Sequence, residues 1–305
     1  MSEGVQINPA ENPGEIRKMS IKAAILLTCV CMTWGLNAVA IKISNQEIPP
    51  VLAAALRSVI AGLFLTGWMR FSGMRLFPAR LWDGVAVGAL FGIEFAMLYT
   101  SLIYTTVSSS WILLYTAPFF TAGGAHLFLK GDRLVFLKAV GLFLAFAGVV
   151  ILLSGHAGSG NSGSLAGDLC ALGAAVLWSA TTIYIKRRLV GYVSYFHTLF
   201  YQTVFSIPIL FLASFILGEA LPSHVTFIPL VSLLYQSVIV AFISYLLWFY
   251  LVHRYPVSGI SAFTFLTPVF ATLAGVAILG EPVDLRLVLS LILVSIGIYV
   301  VHKSG

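Results

Sequence analysis

The chain has 305 residues, of which 59% are hydrophobic and only 9% are charged, and its mean hydropathy is +0.99. So little polar material cannot cover a water-soluble protein of this size, so the composition indicates a membrane protein. At about 20 apolar residues per crossing, ten spans use roughly 200 residues, which excludes a sizeable soluble domain. Cys29, Cys31 and Cys170 all fall in apolar runs, and we interpret them as buried small side chains rather than a disulfide framework or a metal site.

Hydropathy divides the chain into a tail and ten membrane spans. Residues 1–20 are polar and contain two prolines, which predicts a short disordered tail. The apolar run that follows is longer than the core of a signal peptide and has no convincing cleavage site, so it is predicted to remain as the first span. Charges, Gly and Pro then separate spans 1 to 10 at 21–43, 50–71, 83–105, 107–129, 133–153, 165–187, 194–216, 228–252, 257–279 and 283–302.

The distribution of basic residues predicts the orientation of these spans. Fourteen of the 17 basic residues fall on one face of the membrane: Arg17, Lys18, Lys22, Arg70, Arg75, Arg80, Lys130, Arg133, Lys138, Lys186, Arg187, Arg188, Arg254 and Lys303. Lys42 and Arg286 fall on the opposite face, and Arg57 lies inside span 2. This asymmetry predicts that both termini are cytoplasmic and supports an even number of spans. The net charge of +6 therefore does not indicate a nucleic-acid partner.

The two halves of the chain resemble each other at a nearly constant offset. The matches are Trp34 with Trp178 and Lys42 with Lys186 at 144 residues, Pro118 with Pro268 and Val107-Ser108 with Val257-Ser258 at 150, and Gly131-Asp132 with Gly280-Glu281 and Gly148 with Gly297 at 149. The common order of these matches indicates a repeat. We predict repeats at 21–153 and 165–302, joined by an external Gly/Ser linker at 154–164. Because each repeat has five spans, the second is inverted, an arrangement typical of alternating-access transporters.

Several short motifs carry a family resemblance. They are Trp34-Gly35 with the trailing Ala40-Ile41-Lys42, Pro49-Pro50, Leu56-Arg57, the Tyr-Thr-Ala-Pro that ends at Pro118, and the Leu-Gly-Glu-Pro at 279–282. On these residues the chain resembles the EamA-type ten-helix members of the drug/metabolite transporter superfamily over residues 21–302. The resemblance implies an all-α membrane protein in which two inverted five-helix bundles surround a central cavity, lined mainly by spans 1–4 and 6–9. Lys130-Gly131-Asp132 departs from the family, which often has Gly-Glu there.

Two charged residues at membrane depth are candidate transport residues. Glu94 lies near the middle of span 3, where a carboxylate facing lipid costs several kcal/mol. It is interpreted as a proton carrier or as the counter-charge of a substrate amine, or alternatively as a protonated carboxyl group bonded to a neighbouring helix. Arg57 lies about two turns into span 2 and can attract a carboxylate. From the sequence we favour a structural role for Arg57, in which its side chain reaches the lipid headgroups or donates to helix carbonyls.

Proline and glycine positions indicate hinges and close helix contacts. Pro118 and Pro268 occupy the middle of spans 4 and 9, where each removes a backbone donor, and their equivalence in the repeat favours hinges over packing features alone. Gly84, Gly88 and Gly92 recur every four residues on span 3, which is typical of a close helix contact.

A third set of candidates combines aromatic and polar residues at helical spacing. Its members are Trp34, Asn37, Tyr99, Trp178, Thr181, Tyr245 and Trp248. Symmetry-related spans carry equivalent members, which would suit the wall of a cavity for an amphipathic solute. Taken singly, each residue is more readily explained as part of the helix core than as a ligand contact.

These features together predict a secondary transporter that exports small metabolites across the cytoplasmic membrane. A zwitterionic amino acid fits Glu94, Arg57 and the aromatic wall, whereas a hydrophobic cation fits only Glu94 and the aromatics. The chain has no Walker A motif, so a proton gradient or solute exchange would drive transport. The sequence indicates no cofactor, and it does not indicate an oligomeric state. An intramembrane enzyme would need clustered polar residues, but the histidines of the spans are scattered; a membrane assembly subunit remains the third alternative.

Overall fold

The computed structural model describes residues 19–105, 107–154, 164–279 and 285–304, and every regular element in these ranges is helical. In chain order, spans 1 to 10 are Ile21–Ser44, Pro50–Phe71, Leu81–Tyr104, Val107–Leu114 with Ala117–Phe128, Phe136–Ser154, Leu165–Arg188, Tyr195–Ile216, Phe227–Arg254, Val257–Leu279 and Leu285–Lys303. Each end lies within three residues of the predicted end. Most of the predicted tail and of the predicted 154–164 linker lies outside the described residues.

Nine of the described helices are long and apolar enough to cross a bilayer, and span 4 supplies the tenth crossing in two segments. Its first segment ends at Leu114, and the Thr116 N–H then donates to the Leu113 carbonyl at 3.1 Å. The second segment begins at Ala117 with Pro118 in its first turn, where a missing N–H is tolerated. Pro118 therefore lies in the middle of span 4, as predicted, and the helix is interrupted just before it.

Span 9 carries a comparable irregularity at the equivalent place. A single 3₁₀ turn, Phe263–Phe265, separates Val257–Ala262 from the segment that begins at Leu266, and Pro268 lies in the first turn of that segment. Span 8 also departs from α-helical geometry, since Gln236–Ser244 forms a π-helix. Irregular segments of this kind weaken the helical hydrogen-bond ladder, and those of spans 4 and 9 lie where the two repeats place their prolines.

The most extensive contacts join one half of the chain to the other. Span 1 packs on spans 8 and 9, span 6 packs on spans 3 and 4, span 2 packs on span 7, and span 5 packs on span 10. The first two contacts are equivalent under the repeat, and the last two map onto themselves. The halves therefore interlock around an approximate two-fold axis instead of lying side by side.

Small residues make the closest of these contacts possible. A Cβ atom at Gly88 would lie 2.3 Å from the Cβ of Phe205, and one at Gly84 would lie 2.4 Å from the Tyr201 ring. The glycine stripe of span 3 thus packs on span 7, which confirms the predicted packing role. Between spans 5 and 10, a Cβ at Gly141 would lie 2.7 Å from the Gly297 carbonyl oxygen.

The cysteines differ from the sequence interpretation. Cys31 is buried and donates its S–H to the Phe263 carbonyl at 3.1 Å, but Cys170 is partly exposed and Cys29 is exposed. The interpretation that all three are buried is therefore wrong. It failed because the exterior of a membrane protein is also apolar, so an apolar run does not indicate which side chains face the core.

Candidate functional site

A cavity of about 540 Å³ lies inside the bundle, a volume within the range of small-molecule sites. Its described lining comes from spans 1 to 9, with only Leu153 from span 5. Ten of the eleven predicted site residues line it: Trp34, Asn37, Arg57, Glu94, Tyr99, Trp178, Thr181, Tyr245, Trp248 and Pro268. Pro118 does not, although Leu114 and Tyr115 at the break before it do.

Arg57 and Glu94 bring opposite charges to this cavity. The two residues are 2% and 5% exposed, and both line the cavity. The Arg57 guanidinium carbon lies 4.7 Å from the centre of the Phe95 ring, a cation–π contact. Of the two structural roles expected for Arg57, the reach to the lipid headgroups is therefore wrong, because the side chain turns into the bundle.

The free edge of the Arg57 side chain is chemically specific. Its Nε and Nη2 atoms are buried and have no hydrogen-bond partner among the described residues. These two nitrogens form one edge of the planar guanidinium, and their parallel N–H donors match the two oxygens of a carboxylate. Leaving buried donors unpaired is costly, so a group that pairs with both would be strongly favoured at this edge.

Asn37 adds an unpaired acceptor to the same cavity. Its residue is 8% exposed, and its Oδ1 atom has no hydrogen-bond partner among the described residues. Thr181, by contrast, satisfies its own hydroxyl, which donates to the Leu177 carbonyl at 2.8 Å. The two predicted polar residues therefore differ. Asn37 has an acceptor without a hydrogen-bond partner among the described residues, whereas the Thr181 hydroxyl already donates a hydrogen bond within its own helix.

Four of the predicted aromatic residues form one cluster, with Trp34 at its centre. The centroid of its ring lies 6.3 Å from that of Trp178, 5.6 Å from that of Tyr245 and 5.3 Å from that of Trp248. Its Nε1–H donates to Ser244 Oγ at 2.9 Å, which fixes the orientation of the ring. Tilted and edge-on contacts of this kind are the favoured geometries of aromatic pairs. The cluster gives the cavity a rigid apolar wall.

Phe91 and Phe95, which were not among the predicted site residues, form a second aromatic row on span 3 with the predicted Tyr99. Phe91 and Phe95 are 4.6 Å apart between ring centroids, and Phe95 and Tyr99 are 6.1 Å apart. Their spacing of four residues places them on one face of the helix, and Glu94 also lines the cavity, so the pattern could have identified them. Gln202 on span 7 was also missed; its signal is a polar amide within an apolar span.

The described residues contain no group of three or more His, Cys, Asp or Glu side chains that could hold a metal ion. His197 and His253 are instead bonded to neighbouring helices or loops, His197 to Ser194 at 2.7 Å and to the Arg75 carbonyl at 2.8 Å, and His253 to Thr198 at 2.9 Å. What the cavity offers is a buried cation, a buried acid, an amide and an aromatic wall. These groups suit reversible binding of a solute.

Comparison with known proteins agrees with this architecture. The chain matches the EamA-like transporter family twice, over residues 21–154 and 165–302. It is 30% identical to an uncharacterized transporter of Bacillus subtilis, over 93% of this chain and 92% of that one, and 28% identical to a protein of Salmonella typhimurium named a probable amino-acid metabolite efflux pump, over 92% and 95%. A crystal structure with 21% identity superimposes with a TM-score of 0.78 and covers 92% of this chain, which supports the fold. The two matches together span almost all of the membrane-spanning part, and the chain belongs to the EamA-like transporter family.

Proposed function

We propose that this transporter exports amino acids or closely related zwitterionic solutes from the cytoplasm by alternating access. The observation that carries the proposal is the burial of Arg57 and Glu94 in one aromatic-lined cavity. A solute with a carboxylate and an ammonium group would complement both charges, whereas a solute with a single charge would leave the other without a partner.

The geometry of the two charges supports a division of roles. The unpaired Nε and Nη2 edge of Arg57 would bind the substrate carboxylate, and Glu94 would face the ammonium group. The unpaired Oδ1 of Asn37 offers a further acceptor for an N–H of the substrate. The cluster around Trp34 would then contact an apolar side chain, which favours bulky apolar amino acids.

Two further parts of the proposal concern direction and energy. The charge asymmetry supports cytoplasmic termini in the cytoplasmic membrane. Glu94 supports protons as the coupling ion, because a cavity carboxyl group that binds substrate amine in its charged form and a proton in its neutral form links the two movements. The names of the relatives in Salmonella typhimurium and Escherichia coli, both called probable amino-acid metabolite efflux pumps, agree with this direction of transport.

The test compares Arg57→Lys with wild type in proteoliposomes that contain the purified protein, by counterflow of a radiolabelled bulky apolar amino acid. Lysine keeps the charge but cannot present two parallel donors, and a charge-assisted hydrogen bond of about 1.5–3 kcal/mol predicts roughly tenfold to hundredfold weaker binding. Arg70→Lys, at the exposed end of span 2, is the matched control and should behave like wild type.

Counterflow of hydrophobic cations, measured in the same vesicles, separates the alternative. Transport of cationic dyes with none of amino acids would replace the proposal with drug export. Amino-acid counterflow at wild-type affinity in Arg57→Lys would remove Arg57 from the binding site. Saturable flux of either solute class would exclude a non-transporting assembly subunit.

A further inference from the structure

The turn between spans 8 and 9 is bound at both of its helix ends by charged residues from other spans. Lys186, in the last turn of span 6, donates from Nζ to the carbonyls of Val252 at 2.7 Å and Tyr255 at 3.0 Å. These carbonyls end span 8, where the helix dipole places partial negative charge. The ammonium group therefore neutralises carbonyls that have no partner within the helix.

The first turn of span 9 is bound by an acid. The Asp132 carboxylate accepts the Ser258 N–H at 3.0 Å and also the Ser258 hydroxyl, at the positive end of span 9. Lys138 pairs with Asp132 at 3.3 Å and donates to Ser258 Oγ at 2.9 Å. Gly131, with φ of 88°, gives the backbone before Asp132 a conformation that other residues rarely adopt. Asp132 and Lys138 are each 5% exposed, so separating them would leave buried charges unpaired.

These contacts join two different groups of helices. Lys186 belongs to span 6, and Asp132 belongs to the connection that follows span 4. Spans 4 and 6 pack on each other. The bound turn belongs to spans 8 and 9, both of which pack on span 1. A cavity between the groups can open at this end only if the turn leaves its polar partners.

The repeat places corresponding residues at the opposite end. Lys42 matches Lys186 at an offset of 144, and the turn after span 3, at Thr105, matches Tyr255 at an offset of 150. Because the halves are inverted, Lys42 lies toward the other face of the membrane. We propose that Lys186 and Lys42 are paired positioning residues of opposite sense: Lys186 holds the cavity closed to the cytoplasm, and Lys42 holds it closed to the outside.

This inference rests on the orientation given under the proposed function but not on the substrate. The experiment uses the full chain with its three native cysteines replaced by alanine and one new cysteine at Ala38, a partly exposed residue that lines the cavity. The rate of alkylation by a membrane-impermeant maleimide is measured in right-side-out and in inside-out membrane vesicles. The ratio of the cytoplasmic to the external rate reports which end of the cavity is open.

We expect Lys186→Ala to raise this ratio about tenfold and Lys42→Ala to lower it, since each substitution removes charge-assisted hydrogen bonds from one closed state. Lys186→Arg, which can still donate to the carbonyls, should stay near wild type, and Asp132→Asn should shift the ratio in the same direction as Lys186→Ala. Arg187→Ala, at the exposed neighbour of Lys186, is the matched control and should leave the ratio unchanged.

Shifts in the same direction for Lys186→Ala and Lys42→Ala, or no shift, would overturn the inference, because loss of general stability would affect both ends alike. If Lys186→Ala does not fold, as judged by thermal unfolding in detergent, Asp132→Asn gives the decisive ratio. A reversed orientation would exchange the signs of both shifts together and would also reverse the labelling of cysteines in the loops. A failed amino-acid assay would leave these ratios as they are.

Discussion

Trp34 and Trp178 pack against each other in the cavity with ring centroids 6.3 Å apart, although 144 residues separate them in the chain. They occupy equivalent positions in the two repeats. Equivalent side chains of an inverted repeat can touch only near the axis that relates the halves. The cavity therefore lies on the approximate two-fold axis, where both halves contribute to one wall. A relative movement of the halves would change the shape of this wall.

Removing Trp34 should weaken substrate binding more than it affects folding. Trp34→Ala opens the centre of the aromatic cluster, and we expect roughly tenfold weaker binding of a bulky apolar amino acid in the counterflow assay, with Trp34→Phe intermediate. Trp82→Ala is the control, because Trp82 is 83% exposed at the start of span 3. Unchanged affinity in Trp34→Ala would show that the cluster serves the helix core alone.

Glu94 should connect transport to the proton gradient. Glu94→Gln keeps the size of the side chain but cannot bind and release a proton, so we expect exchange to persist, with a higher half-saturating concentration because the ammonium group loses its counter-charge, while the stimulation of transport by an imposed pH gradient disappears. Glu94→Asp should restore part of that stimulation. The comparison is made in the same proteoliposomes with and without the gradient, and full stimulation of Glu94→Gln would assign proton coupling to another group.

The prolines at the two helix interruptions should influence rate more than affinity. Pro118→Ala and Pro268→Ala permit an extra backbone hydrogen bond at the breaks in spans 4 and 9, so we expect slower exchange at an unchanged half-saturating concentration. Pro208→Ala is the control, because Pro208 lies inside the regular helix of span 7 and has no equivalent in the first repeat. Exchange at the wild-type rate in all three variants would show that Pro118 and Pro268 serve only helix packing.

The orientation can be tested with two exposed loop positions. In the variant without native cysteines, a cysteine at Ser223 should react with an impermeant maleimide from outside the cell, and one at Ser72 should not. Ser223 lies between spans 7 and 8, and Ser72 follows span 2, so the two positions are predicted to face opposite sides. The reverse labelling pattern would show that the protein has the opposite orientation in the membrane, and the proposed direction of transport would then be reversed.

Glu47 should make the start of span 8 sensitive to acid. Its carboxylate accepts the Thr226 N–H at 2.6 Å and the Thr226 hydroxyl at 2.8 Å, and these bonds hold the pKa of Glu47 below its ordinary value. A lowered folded-state pKa contributes stability above the unfolded pKa of about 4.3, and that contribution is lost as the pH falls through the folded value. The thermal stability of Glu47→Gln in detergent should therefore trail that of wild type at pH 7 and approach it in acid. A difference that stays constant with pH would contradict this account.

Hydropathy predicted the spans, and repeat matching predicted most of the cavity residues. Both methods use only the positions of residues along the chain, and these positions determine the depth of each residue in the membrane. A match such as Trp34 with Trp178 also has a direct meaning in space, since equivalent residues of an interlocked repeat converge on the axis. Trp34, Glu94 and Trp178 lie in the middle of their spans, where the two halves meet. Their chemistry and their depth together were enough to find them.

Arg57 and Lys186 show what the sequence could not reveal. Hydropathy gives the depth of Arg57 but not the direction of its side chain, so a reach toward lipid and a reach toward Phe95 could not be distinguished. Lys186 fits the count of basic residues on one face, yet its partners Val252 and Tyr255 are more than 60 residues away and are backbone carbonyls. A bond to a distant carbonyl leaves no residue pattern that a sequence can show.

The glycine contact between spans 5 and 10 has a consequence for biosynthesis. Gly141 on span 5 packs on Gly297, about 150 residues later in the chain. At a synthesis rate of about 5–20 residues per second, span 5 waits roughly 8 to 30 s for its partner. During that time the partner of its glycine face has not yet been made, so the first half of this protein enters the membrane well before it can finish folding.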